Sequence, residues 1–325
     1  MKHLNHILIA SLLITACGDA ADSFSVGTPV FGAVFDARSQ SIRRIIGVPG
    51  ASSLADTLIN QVDVAEIAPN GTTALALQGG QLYAISALQS STPIFTAINP
   101  MPATIDRIVW NRGSSAAAIY SAASSSLTVL TNFSNTGADQ TTIALSSLTG
   151  TMTALALDDS GSFVIVAYSG SAAGVYLVSA ANPPALLALL ANPTSVALIH
   201  HDRDVLVSDS QTVQIFEVRD IHGSQTLAPF ANLPVGATNP VGLSASPDGR
   251  LIFVADQTCL CVGVYQYSTR LLINQLAVGA PPAFLKPLPK SPLFLVNAPS
   301  DNATAFWMLN ASETPGTFFV SGGSQ

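Results

Sequence analysis

One turn, with the strand that follows it, constrains this chain more than any other stretch. Ser246-Pro247-Asp248-Gly249 leads through Arg250 into Leu251-Ile252-Phe253-Val254-Ala255-Asp256. Proline presets the first turn angle, aspartate bonds back to the backbone, and glycine supplies a positive φ. The run that follows is short, apolar and partly β-branched, as a buried strand should be. The unit recurs. Pro69-Asn70-Gly71, Asn111-Arg112-Gly113, Asp159-Ser160-Gly161, His201-Asp202-Arg203, Pro247-Asp248-Gly249 and Pro289-Lys290-Ser291 line up at intervals of 42, 48, 42, 46 and 42 residues. A strand pattern precedes each anchor and another follows it, at 62–68 and 73–77 around the first.

That period is the length of a four-stranded blade. A blade apolar on both faces cannot stand alone. Stacking blades side by side buries both faces, and closing the row into a ring removes its ends. The sequence therefore predicts an all-β chain, a β-propeller of four-stranded blades in a single domain over residues 30–325. Six anchors give six blades. Residues 30–48 read as a hairpin, the outer half of another, and chain length favours seven, with six as the alternative. The stretch 49–56 reads as a Gly/Ser/Ala loop. A strand at 317–320 is expected to meet the N-terminal strands and lock the ring. Helix signals are poor, and Pro183, Pro184 and Pro193 box in the one short apolar run, 186–191, that could form a turn.

Only 10% of the 325 residues are charged, 48% are hydrophobic, and the net charge is −7. A negative chain of this kind draws no electrostatic attraction from nucleic acid or anionic lipid. The N-terminal apolar run ends by Ile14, too short to span a bilayer as a helix. It follows a polar start with Lys2 and leads into small residues, the pattern of a secretory signal. Ile14-Thr15-Ala16-Cys17 resembles the bacterial lipobox. That resemblance implies removal of residues 1–16, a diacylglycerol thioether on Cys17, residues 17–29 as a tether, and membrane association through the lipid. Gly18, rather than Asp, follows the cysteine, which by the same resemblance leans toward the outer membrane or the periplasmic face of the envelope. Ordinary cleavage after Ala20 is the alternative.

At Pro247 to Asp256 the chain resembles the repeats of YVTN- and NHL-type β-propellers, in which a Pro-Asp-Gly turn precedes a strand ending Val-Ala-Asp or Val-Ala-Asn. Asp209 and Asn297 hold the place of Asp256 in their own repeats. The resemblance implies a propeller fold. Its families include binding modules, scaffolds and some enzymes.

Propeller sites usually lie at the mouth of the central channel. Three residues before each anchor stand Glu66, Ile108, Ala156, Leu198, Ser244 and Lys286. Five before stand Val64, Asp106, Ala154, Val196, Gly242 and Phe284. Glu66 and Asp106 are isolated carboxylates there, whereas a hard cation needs several converging oxygens. No metal site is expected. Asp209, Asp256 and Asn297 either ring one end of the structure or cap strand-end turns through side-chain-to-backbone bonds. His200-His201-Asp202 is the densest group of potential ligands, but neighbours on a strand point to opposite faces, so a surface turn is expected. Cys259 and Cys261 share a loop. An exported setting favours a disulfide between them. No Gly-x-Ser-x-Gly elbow or Gly-rich phosphate loop with its lysine occurs, and no cofactor is expected.

Two functions remain open. One is a lipid-tethered propeller that binds a protein or small molecule as a scaffold in the cell envelope. The alternative, by propeller analogy, is a lactonase- or esterase-like hydrolase, with or without a metal.

Overall fold

The computed structural model describes residues 29–289, 291–299 and 305–322. The signal stretch 1–16 and Cys17 lie outside the described residues. Every regular element among the described residues is a strand. Blade 1 has three: Val30–Asp36, Ser41–Val48 and Ala51–Ile59. Blades 2 to 7 have four each, with innermost strands Val64–Ile67, Arg107–Trp110, Thr151–Leu157, Pro193–Ile199, Pro240–Ala245 and Lys286–Pro287.

Burial explains the ring. Successive side chains on a strand point to opposite faces, and the second strand of each blade is apolar on both. Ala117 and Ile119 pack toward blade 2, whereas Ala116 and Ala118 pack toward blade 4. Seven apolar clusters result, one at each junction between neighbouring blades, and the last joins blade 7 to blade 1. Gly242 sets one of these junctions. A Cβ there would meet the backbone of Phe284 and Leu285 at 2.8 and 2.7 Å. Gly242→Ala should cost about 1 kcal/mol, read as a lower urea midpoint at unchanged slope.

Of residues 49–56, expected as a loop, only Pro49 and Gly50 form a turn, and 51–56 belong to a strand. Ala51–Ile59 pairs antiparallel with Ser41–Val48, and its Ser52 and Ser53 pair in parallel with Val320 and Ser321 of Gly316–Ser321. The small polar residues that suggest a loop suit an outer strand that buries only Ser52, Leu54 and Ile59. Blades 7 and 1 thus form one curled seven-stranded sheet, and the ring closes at its rim.

Among the described residues blade 1 has no inner strand. Elsewhere the turn between the second and third strands ends in a left-handed residue: Ser125 (φ +45°), Val213 (+56°) and Leu260 (+50°). The carbonyls of these three residues accept from Leu145, Leu233 and Val278, just past the fourth strand of each blade. Gln40 (φ +47°) does the same for Val62. Val30–Asp36 is therefore equivalent to a second strand, and the three strands of blade 1 are the outer three of a blade.

Candidate functional site

The innermost strands of blades 2 to 7 surround a channel of about 660 Å³. At one mouth lie the anchor turns. Cross-strand pairing sets their register: Ile67↔Ala74, Trp110↔Ala117, Leu157↔Val164 and Ala245↔Ile252 each enclose six residues. The left-handed residue of each turn is Gly71 (φ +69°), Ser114 (+60°), Gly161 (+74°) and Gly249 (+70°). The second anchor therefore sits one residue later than the sequence alignment placed it, and Ser114, not Gly113, takes the left-handed position.

The turn of blade 5 departs from this pattern. Ile199↔Asp204 encloses four residues, and three of them in succession are left-handed: His200 (φ +52°), His201 (+55°) and Asp202 (+63°). Each such non-glycine residue costs about 1–2 kcal/mol of backbone energy. Strain of this kind persists where surrounding contacts hold it, and it gathers at functional sites. Here a 2.7 Å bond between His200 Nδ1 and Asp204 Oδ2 pins the turn, and His201 and Asp202 line the channel mouth.

The neighbouring turns complete the cluster. The Asp159 amide donates to Asp202 Oδ2 at 2.6 Å, and Arg112 lies 3.4 Å from the Asp159 carboxylate. Asn111 Nδ2 donates to the Asp159 carbonyl at 2.7 Å. Arg112, Asp159, His201 and Asp202 therefore share one mouth. Burial pushes the Asp202 carboxyl above its ordinary pKa, and the nearby charges of Asp159 and Asp158 add to this against the bond from the Asp159 amide. The mouth thus offers a guanidinium, an imidazole and two carboxyls in different environments, a set able to form charge-assisted hydrogen bonds with a polar solute.

The residues singled out in the sequence fall elsewhere, with Glu66 nearest. Its carboxylate, from blade 2, pairs across the channel wall with Lys286 Nζ of blade 7. Lys286 Nζ also sits 4.4 Å from the Phe284 ring centroid. Burial raises the Glu66 pKa and Lys286 opposes it. Asp106 lies at the opposite mouth, held low in pKa by the Thr104 hydroxyl at 2.5 Å and then by the Ala122 amide at 2.8 Å. Asp209, Asp256 and Asn297 do not line the channel. They end second strands at the face opposite the anchor turns. Asp209 Oδ2 accepts from Ala191 and Asn192, and Oδ1 from Gln211 and Thr212. Asp256 accepts likewise from Asn239, Thr258 and Cys259. Asn297 accepts from the Trp307 amide and donates to the Pro281 carbonyl. Cys259 and Cys261 form a disulfide at a Cα separation of 5.2 Å on that same face.

One further cluster, outside the channel, has ligand-like geometry: His200, Asp204 and Glu217, with ligand atoms within 4.8 Å of one another. Its donors are already engaged. Glu217 is fully buried and paired with Arg219 at 2.6 Å and Arg270 at 3.1 Å, and it accepts from the Tyr267 hydroxyl. Burial lifts the Tyr267 pKa above its usual value, and the bond to Glu217 adds to the shift. Two guanidinium groups beside the carboxylate repel a divalent cation. The cluster ties blade 5 to blade 6.

Sequence reasoning passed over Arg112 and Asp159, although both stand in anchor triplets. Lining those triplets around a ring places them at one mouth.

No family model matches the chain, and neither does any curated protein. Solved structures do. A putative 6-phosphogluconolactonase from Bacteroides fragilis superposes with a TM-score of 0.59 at 11% identity, over 90% of this chain and 97% of its own. Another, from Bacteroides uniformis, gives 0.62 at 11%, over 87% and 92%. The Cps50 (Swd1) β-propeller domain of Myceliophteria thermophila gives 0.52 at 10%, over 83% and 93%. The chain is a β-propeller. At these identities the likeness is one of fold alone.

Proposed function

We propose that this propeller is an exported, Cys17-lipidated binding module of the cell envelope that takes a small polar ligand at the anchor-turn mouth of its channel. The observation that carries the reading is the left-handed turn at His200–Asp202. It gives up the glycine found in three sister turns and sets His201 and Asp202 beside Asp159 and Arg112. Binding sites tend to form on a rigid scaffold from loops that break local rules. A thermal-shift screen of sugars, amino acids and small amines on the mature protein tests this. A hit is expected to raise the melting temperature of wild type and lose its effect in Arg112→Ala and Asp202→Asn. Hits unaffected by both changes would move the site elsewhere. Labelled palmitate entering wild type but not Cys17→Ser is the expected result for the anchor.

A second reading is a hydrolase acting on lactones or esters. The fold likeness to two proteins described as putative 6-phosphogluconolactonases favours it, as does a carboxyl of raised pKa at the mouth, a property shared by catalytic acids. Turnover of a lactone and ester panel, with and without divalent metal, that disappears in Asp202→Asn would replace the binding reading with this one.

A further inference from the structure

Among the described residues blade 1 has no inner strand, and at its place lies a second cavity, of about 150 Å³, lined by Ala33 to Phe35 of blade 1 and by residues of blades 2 and 7. It adjoins the main channel, since Ala65, Glu66, Ile67, Phe284, Lys286 and Pro287 line both. Its lining side chains are apolar apart from one ion pair, Glu66 with Lys286, which spans the gap between the inner strands of blades 2 and 7. Among the described residues no strand pairs with the inner edge of Val30–Asp36.

We propose that this alcove is a binding site for a neutral, single-ring molecule carrying one hydroxyl group, such as a phenol. The site is separate from the anchor-turn mouth and does not depend on that reading. Size sets the ring: apolar cavities of about 150 Å³ lined by Leu, Ile and Phe accept benzene. The pair sets the head group. A hydroxyl can donate to the Glu66 carboxylate without displacing Lys286. An anionic ligand would compete with Glu66 for the ammonium, and a cationic one would compete with Lys286. Either leaves a charge in the wall without its partner, which is costly in low dielectric. Neutrality is therefore the main selectivity.

Ligand-observed NMR on the mature chain tests this with phenol, benzoate and benzylamine as probes. Phenol is expected to bind saturably, about 10-fold or more tighter than either charged probe, a difference of one decade or more in Kd. Ala298→Leu projects into the alcove from a half-buried position. It should weaken phenol about 10-fold with no change in melting temperature. Lys286→Met should narrow the preference for phenol over benzylamine, since no ammonium then remains to be displaced. Asp202→Asn, across the channel on the turn of blade 5, should leave phenol binding unchanged. Failure of phenol to saturate by about 10 mM, equal binding of all three probes, or indifference to Ala298→Leu overturns the assignment. Sensitivity to Asp202→Asn places phenol at the other site and also overturns it.

Discussion

Asp209→Ala should lower the unfolding free energy by about 3 kcal/mol. The carboxylate is fully buried and accepts from four backbone amides, two in the loop entering blade 5 and two in its next turn. Each buried donor left unsatisfied costs about 1–3 kcal/mol, and charge-assisted bonds lie toward the upper end. The entering loop is partly open at Ala191 and Asn192, so water replaces part of the loss there. For a chain of this size the deficit reads as a fall in melting temperature of about 5 °C. Asp209→Asn should cost about half as much, since its single oxygen can serve only one pair of donors and its amide faces the other. Urea unfolding of both variants measures it. Equal stability of wild type and Asp209→Ala would show that solvent, not the carboxylate, satisfies these amides.

Lys286→Met should destabilise the protein in a pH-dependent way. Removing one partner of a buried pair costs about 3–5 kcal/mol. Lys286 keeps 38% of its side chain exposed and Glu66 16%, so about 2 kcal/mol is expected near pH 8 after discounting for solvent. The sign follows from Glu66, whose folded pKa burial raises above the ordinary 4.5 of a glutamate. Between those two values the native state holds a proton that the unfolded state has lost, so this group's contribution falls as pH rises. Without the ammonium the folded pKa climbs further. The penalty of the substitution should therefore be small near pH 4, where Glu66 is mostly protonated in both states, and should grow toward about pH 8. Denaturant titrations at the two pH values check this. A penalty of the same size at both would locate the loss in packing of the lysine stem over Phe284 instead.

The ring was legible because its cause is local and repeated. Each apolar run, such as Val164 to Tyr168 or Leu251 to Ala255, announces a strand buried on both faces, and a turn sets it off. The errors lie where one residue does the work of another. Gly113 invited the anchor to be drawn one position early, although Ser114 adopts the left-handed conformation there. Residues 30–48 read as part of a blade, but not which part. The signal was Asp36, which ends an apolar run as Asp209 and Asp256 do and accepts from the amide two residues on, as they do. The mouth was harder to see. Asp159 and Asp202 are 43 residues apart, and nothing in the chemistry of either turn alone predicts that one amide meets the other's carboxylate. Glu66 and Lys286, 220 residues apart, share a repeat position. No inner strand of blade 1 stands between them among the described residues, and an absence leaves no motif to read.

The direction of the first strand bears on how the molecule would sit in an envelope. Gly32 lies against Pro289, an anchor-turn residue of blade 7, whereas Gln40 at the far end of the same hairpin lies by Val62. The polypeptide thus enters the ring from the anchor-turn side. Under the proposed lipidation, residues 18–29 form a leash of at most about 40 Å when fully extended. The opening that carries Arg112, Asp159 and Asp202 would then lie on the tethered side of the ring, and the disulfide on the other.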